Sequence, residues 1–294
     1  MAQLPVEQVQ TFNGLPSSVF QYGQAVFSRK PLLAPPDRVA PDLRVIAQQV
    51  RINTAHVKRY CDVCGITPGK TLPAAYLHVL AMPLHMRLFT HTDFPARVLG
   101  LVHLRNTIRM LRPIEIDSVV ELSARYNTLR ETEIGQEYDL VTTAAIAGEL
   151  VWEEVSTMLA RRKVAGKRPA IERGNRDEAR LLCERTVGAS ANTGRRYASV
   201  SGDYNPIHLF DRTAQWFSFK QCVAHGMWSL ARCVGLGESY LPQYPLVIDA
   251  QFKLPIYLPG DFVFRAQRTE RGADLSLSTV KGDRLHLSVQ AKPI

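Results

Sequence analysis

The period of the apolar positions switches from helical to alternating twice along the chain, in the same order each time. Near the C-terminus, Met227, Leu230, Ala231 and Val234 recur at helical spacing, which predicts a helix over residues 225–238. Four strands follow. Residues 246–252 form a short apolar run, and residues 261–267 come after a Pro259-Gly260 turn. Leu275, Leu277 and Thr279 alternate with serines, and Leu285, Leu287 and Val289 alternate after a Gly282-Asp283 turn. In the first half, residues 76–89 carry the helical pattern, with Pro83 expected to kink the helix. Strands are predicted there near residues 98–108, 119–126, 137–146 and 150–159. One long helix followed by an antiparallel meander is an α+β pattern in which a sheet wraps a helix.

The two halves also match in sequence. Arg59-Tyr60-Cys61-Asp62-Val63-Cys64-Gly65 aligns without gaps with Arg196-Tyr197-Ala198-Ser199-Val200-Ser201-Gly202. Each segment follows a strand-like stretch and an Asn-Thr pair. Leu111-Arg112-Pro113-Ile114-Glu115-Ile116 resembles Lys253-Leu254-Pro255-Ile256-Tyr257-Leu258. The offsets, 137 and 142 residues, are close to half of the 294-residue chain. Two diverged copies of one unit are the simplest account. The division expected is residues 1–160, a linker over 161–180, and residues 181–294.

Composition adds bounds. With 46% hydrophobic and 21% charged residues, the chain can bury cores and is not wholesale disordered. Five irregularly spaced cysteines argue against a disulfide framework. The sequence shows no secretory leader pattern, and its uncharged N-terminal stretch is too interrupted for a membrane span. A cytoplasmic protein is expected. The net charge of +9 suggests an anionic partner. Residues 161–180 hold eight basic and three acidic residues, however, so over half the excess sits in the linker. That distribution argues against a nucleic-acid face.

The densest cluster of chemically useful residues is Ser201-Gly202-Asp203-Tyr204-Asn205-Pro206-Ile207-His208. Gly202 and Pro206 bend the backbone, so an acid, an amide and an imidazole can converge. A carboxylate beside an imidazole suits paired proton transfer near neutral pH. Ala224-His225-Gly226-Met227 then opens the predicted helix, where free N–H groups can stabilise a developing oxyanion. In the other copy, Ile66 stands at the place of Asp203 and Pro68 at that of Asn205, and no histidine follows. One copy carries the polar set and the other is expected to keep shape.

These motifs resemble the MaoC-like family of R-specific enoyl-CoA hydratases and 3-hydroxyacyl-thioester dehydratases. The resemblance implies a double hot-dog fold, with a degenerate N-terminal hot dog shaping an acyl pocket. It implies reversible hydration of trans-2-enoyl thioesters carried on CoA or acyl carrier protein. Asp203 and His208 become the expected catalytic pair, Asn205 a supporting residue, and the Gly226 N–H an oxyanion donor. No cofactor, metal or nucleic acid is expected, and the chain is expected to be a monomer or homodimer. A hot-dog thioesterase is the main alternative, and a non-catalytic acyl-CoA binder a weaker one.

Other conspicuous residues have plainer readings. His225 is expected to be structural, held at the helix start. Cys61 and Cys64 have small residues, Ala198 and Ser201, as counterparts, so packing is expected rather than redox or zinc chemistry. His78, His85 and His91, seven and six residues apart, are not expected to converge as metal ligands.

Overall fold

The computed structural model describes residues 8–17, 24–25, 28–35, 41–162 and 180–294. In the first half, β1 (Gln8–Asn13) and β2 (Leu43–Arg51) lead to helices α1 (Thr54–Cys64), α2 (Tyr76–Leu80) and α3 (Met82–Thr90). Strands β3 (Leu101–Met110), β4 (Val119–Thr132), β5 (Gly135–Ile146) and β6 (Glu149–Arg161) follow. The second half runs β7 (Arg180–Ala189), α4 (Thr193–Ser201), α5 (Asp211–Gln215), α6 (Gly226–Leu236), then β8 (Leu246–Phe252), β9 (Gly260–Thr269), β10 (Gly272–Ser278) and β11 (Leu285–Pro293). Most of the basic linker, residues 163–179, lies outside the described residues.

Local chemistry sets the helix ends. The Asn53 side chain accepts from the His56 N–H at 3.1 Å and caps α1, the usual role of Asn at that position. Gly65 (φ 61°) and Gly202 (φ 71°) close α1 and α4 in the left-handed conformation open to glycine, so the repeat extends to backbone geometry. The helix expected over residues 76–89 is instead two, α2 and α3, parted at Ala81. Pro83 sits in the first turn of α3, where its missing N–H costs nothing. It starts a helix rather than kinking one.

The strands form one sheet in the order β1-β2-β4-β5-β6-β3-β8-β11-β10-β9-β7. Read from each outer edge, β2-β4-β5-β6-β3 and β7-β9-β10-β11-β8 have the same connectivity. Each half sheet packs on its own helix, α3 against β2 and β4, α6 against β10 and β11. This is a double hot-dog fold. The two sheets expected from the sequence meet edge to edge. β3 pairs antiparallel with β8 from Arg105↔Gln251 to Met110↔Leu246, which makes them continuous. Strand β1, not anticipated, adds a parallel edge against β2.

Between the halves, Trp228 Nε1–H donates to the Val63 carbonyl at 3.0 Å, and Arg232 donates to the Gly65 carbonyl at 2.7 Å. Thus α6 of one half is tied to the end of α1 in the other. Buried Tyr60, Tyr76 and Tyr197 fill the space where α1, α2 and α4 meet. Cys61 and Cys64 are buried free thiols in this contact, with packing roles as expected. No helix among the described residues is long and apolar enough to cross a membrane.

Candidate active site

Beyond Gly202, each polar residue of the bend holds the next one. The Asp203 N–H donates to Ser201 Oγ at 3.1 Å, and the Asn205 N–H donates to Asp203 Oδ1 at 3.1 Å. Asn205 Oδ1 accepts from the Ile207 N–H at 3.4 Å and caps a 3-10 turn over Pro206–His208. That turn delivers His208 beneath Asp203. Asn205 therefore orients both ends of the pair, with its side-chain oxygen engaged by the backbone.

The hydrogen bonds of His208 fix its tautomer. Nδ1 lies 2.8 Å from the Val223 carbonyl, which can only accept, so Nδ1 carries the proton. Nε2 is left with its lone pair, has no protein partner among the described residues, and belongs to a ring that lines the central cavity. His225 is more closely tied to the pair than expected. Its Nε2–H donates to the Asp203 main-chain carbonyl at 2.9 Å, and its ring stacks on His208 with centroids 3.7 Å apart. It thus holds the positions of both residues.

Burial pushes the His208 and His225 imidazoles below their ordinary range, so both are neutral at pH 7. For Asp203, burial works against ionisation. Charge attraction to His225 and His208, which acts only when those rings are protonated, and the hydrogen bond from the Asn205 N–H outweigh it and hold the carboxyl below its usual range. One side-chain oxygen of Asp203 and one ring nitrogen each of His208 and His225 lie within 4.8 Å of one another. One nitrogen of each imidazole is committed to a backbone carbonyl, and His225 Nδ1 is sealed in the protein. What faces the cavity is a carboxylate and one imidazole lone pair.

Helix α6 begins at Gly226 with no side-chain cap, so its first N–H groups have no partner among the described residues. A Cβ on Gly226 would lie 3.2 Å from Phe252 Cε1 and 3.6 Å from His103 Cβ. The glycine therefore also serves close packing. Gly194 had no sequence signal. A Cβ there would lie 1.9 Å from the His208 carbonyl oxygen, so the start of α4 touches the backbone that carries the imidazole.

The cavity measures about 1030 Å³ and is lined from both halves. Met82, Met86, Phe89, Leu101, Leu140 and Leu159 give it an apolar wall. His78, His85, His103 and Ser156 interrupt that wall. His78 and His85 pack together, with ring centroids 5.1 Å apart, and His103 lies 5.8 Å from His78. A seven-residue spacing returns to nearly the same helix face, and the break at Ala81 preserves this. His91 lies apart, beside Asp93.

Residues 174–286 match the MaoC-like domain family. Over 280 residues it is 29% identical to 3-hydroxyacyl-thioester dehydratase X of Mycobacterium tuberculosis, covering 94% of this chain and 98% of that one. The crystal structure of HtdX from the same organism superposes with a TM-score of 0.74 at 28% identity, covering 85% of this chain and all of that one (100%). A MaoC-like dehydratase from Phytophthora capsici, 14% identical, shares the fold with a TM-score of 0.67, over 88% of this chain and 96% of that one. The MaoC-like match spans Asp203, Asn205, His208 and Gly226 and leaves the first half outside.

Proposed function

We propose that the chain is a hydro-lyase that adds water to trans-2-enoyl thioesters and, in reverse, dehydrates (R)-3-hydroxyacyl thioesters, in fatty-acid metabolism. One observation carries this reading. A carboxylate and an unprotonated imidazole nitrogen face one cavity beside a helix N-terminus with free N–H groups. Two acceptors side by side orient a water by taking both of its hydrogens, which leaves its lone pair for carbon.

In hydration, that oxygen bonds to Cβ while one of its protons passes to the Asp203–His208 pair. Electrons of the Cα=Cβ bond shift toward the thioester oxygen, where the Gly226 N–H stabilises the developing enolate; such a donor is typically worth ~3 kcal/mol. The pair then returns a proton to Cα. Water is consumed, and the residues end as they began. His208, neutral and held by Val223, is the base in this scheme, and Asp203 orients the water. The relative named 3-hydroxyacyl-thioester dehydratase X supports the same chemistry.

The first half shapes the acyl site in this proposal. Lys220, Lys253 and Arg284 line the cavity and suit the phosphates of CoA or of a phosphopantetheine arm. The test is a panel of trans-2-enoyl-CoA and enoyl-acyl-carrier-protein thioesters, followed by loss of enoyl absorbance and by free-thiol release. Loss of absorbance without thiol release is expected. Thiol release from saturated acyl-CoA without hydration would instead assign a thioesterase.

A further inference from the structure

The wall of the acyl cavity contains a polar assembly that the hydration chemistry does not use. His78 Nδ1 lies 2.9 Å from Glu154 Oε2, and Glu154 is fully buried at 0% exposure. Asn106, also 0% exposed, donates from Nδ2 to Glu154 Oε1 at 2.7 Å and to Ser156 Oγ at 3.0 Å. His85 Nε2 lies 2.8 Å from Thr142 Oγ1. Five separate elements, α2, α3, β3, β5 and β6, send these side chains to one place.

Burying such groups is costly, and a purely aliphatic acyl chain would gain nothing from them. Burial works against the Glu154 carboxylate, yet His78 beside it and the bond from Asn106 hold its pKa down to about 2. Since that carboxylate only accepts, His78 Nδ1 is the donor. The opposite ring nitrogen, Nε2, has no protein partner among the described residues, and the ring lines the cavity with Ser156. Glu154 and Asn106 thus fix the orientation of His78 and Ser156, the two groups presented to the acyl chain. This arrangement of a partner-fixed ring and hydroxyl is how a site is built to read a polar group.

We propose that the cavity selects acyl thioesters bearing a hydroxyl beyond C5, bound by His78 Nε2 and Ser156 Oγ. A hydroxyl both donates and accepts, so it satisfies Nε2 whether or not that atom carries a proton, and it satisfies Ser156 as well. The specificity deepens the hydro-lyase reading and rests on it for the identity of the thioester.

The test uses saturated thioesters, which have no Cα=Cβ bond and bind without turnover. Octanoyl-CoA and its 6-, 7- and 8-hydroxy isomers are titrated calorimetrically into the wild-type protein. One isomer is expected to bind about tenfold more tightly than octanoyl-CoA, the scale of one well-placed hydrogen bond to a polar site. Ser156→Ala and the paired change His78→Leu with Glu154→Gln are expected to shrink that ratio or reverse it. A merely structural role would weaken all four ligands alike. No hydroxylated isomer binding more tightly than octanoyl-CoA to the wild type overturns the proposal. Turnover of trans-2-octenoyl-CoA, measured in parallel, reports separately on the hydro-lyase reading.

Discussion

Replacing Gly194 by alanine tests whether the start of α4 positions the imidazole. The new Cβ would lie 1.9 Å from the His208 carbonyl oxygen, and backbone on both sides leaves no flexible side chain to yield. Restoring even a tight contact of about 3 Å requires a shift of about 1 Å between α4 and the 3-10 turn. His208 is held at its other side by the 2.8 Å bond to Val223, so the shift either tilts the ring or breaks that bond. A misplacement of about 1 Å at a catalytic group can cost ~10²-fold in rate. Overpacking also costs about 1–3 kcal/mol of stability. The expected result for Gly194→Ala is a fall in kcat of about a hundredfold on trans-2-enoyl-CoA, with a lowered Tm. Gly69→Ala is the control, since its nearest neighbour would be Thr71 N at an ordinary 3.9 Å. Wild-type kcat and Tm in Gly194→Ala would refute the argument.

Three other outcomes follow from the same structure. His225→Phe keeps a ring against His208 but loses the bond to the Asp203 carbonyl, so kcat should fall roughly tenfold, the worth of about one hydrogen bond, with KM little changed; an unchanged kcat would make His225 mere filling. Burial holds His85 and His103 down to about 3, so the folded state stays unprotonated there while the unfolded chain binds protons below its ordinary imidazole pKa of about 6.5. Stability should therefore fall as pH drops from about 6.5 toward 3, by about 1.4 kcal/mol per pH unit for each such group, and denaturant titrations giving equal stability at pH 7 and pH 5 would contradict this. Burial pushes the Cys61 and Cys222 thiols up to about 11, so iodoacetamide at pH 8 should label them slowly until denaturant is added; mass spectrometry reads the modified sites, and prompt labelling of the native protein would count against their burial.

The part of the site that was legible in the sequence is the part made by one short segment. Asp203, Asn205 and His208 lie within six residues, and the bend at Gly202 and Pro206 announces itself. Strands β8 to β11 were readable because alternation and turn residues coincide there. The join of β3 to β8 was not, because edge pairing leaves no local pattern in either strand. Gly194 was silent because its role is a close approach to a carbonyl fourteen residues away. The His78–Glu154–Asn106 assembly was hidden for a related reason. Each member sits in a segment whose apolar pattern predicts a helix or strand correctly, and only the fold brings the polar exceptions together. The repeat comparison showed that the first half lacks the Asp203–Asn205–His208 set, but a local alignment carries no sign that the first half's own histidines meet.

The most direct test of the account is steady-state hydration of trans-2-enoyl-CoA by the wild type, Asp203→Asn and His208→Gln, each first shown to be folded by circular dichroism and thermal melting. The account predicts conversion to the (R)-3-hydroxyacyl thioester by the wild type. It predicts losses of roughly 10²- to 10⁴-fold in kcat for each variant, the usual range for removing a positioned acid or base. Folded variants that hydrate the substrate at the wild-type rate would contradict it.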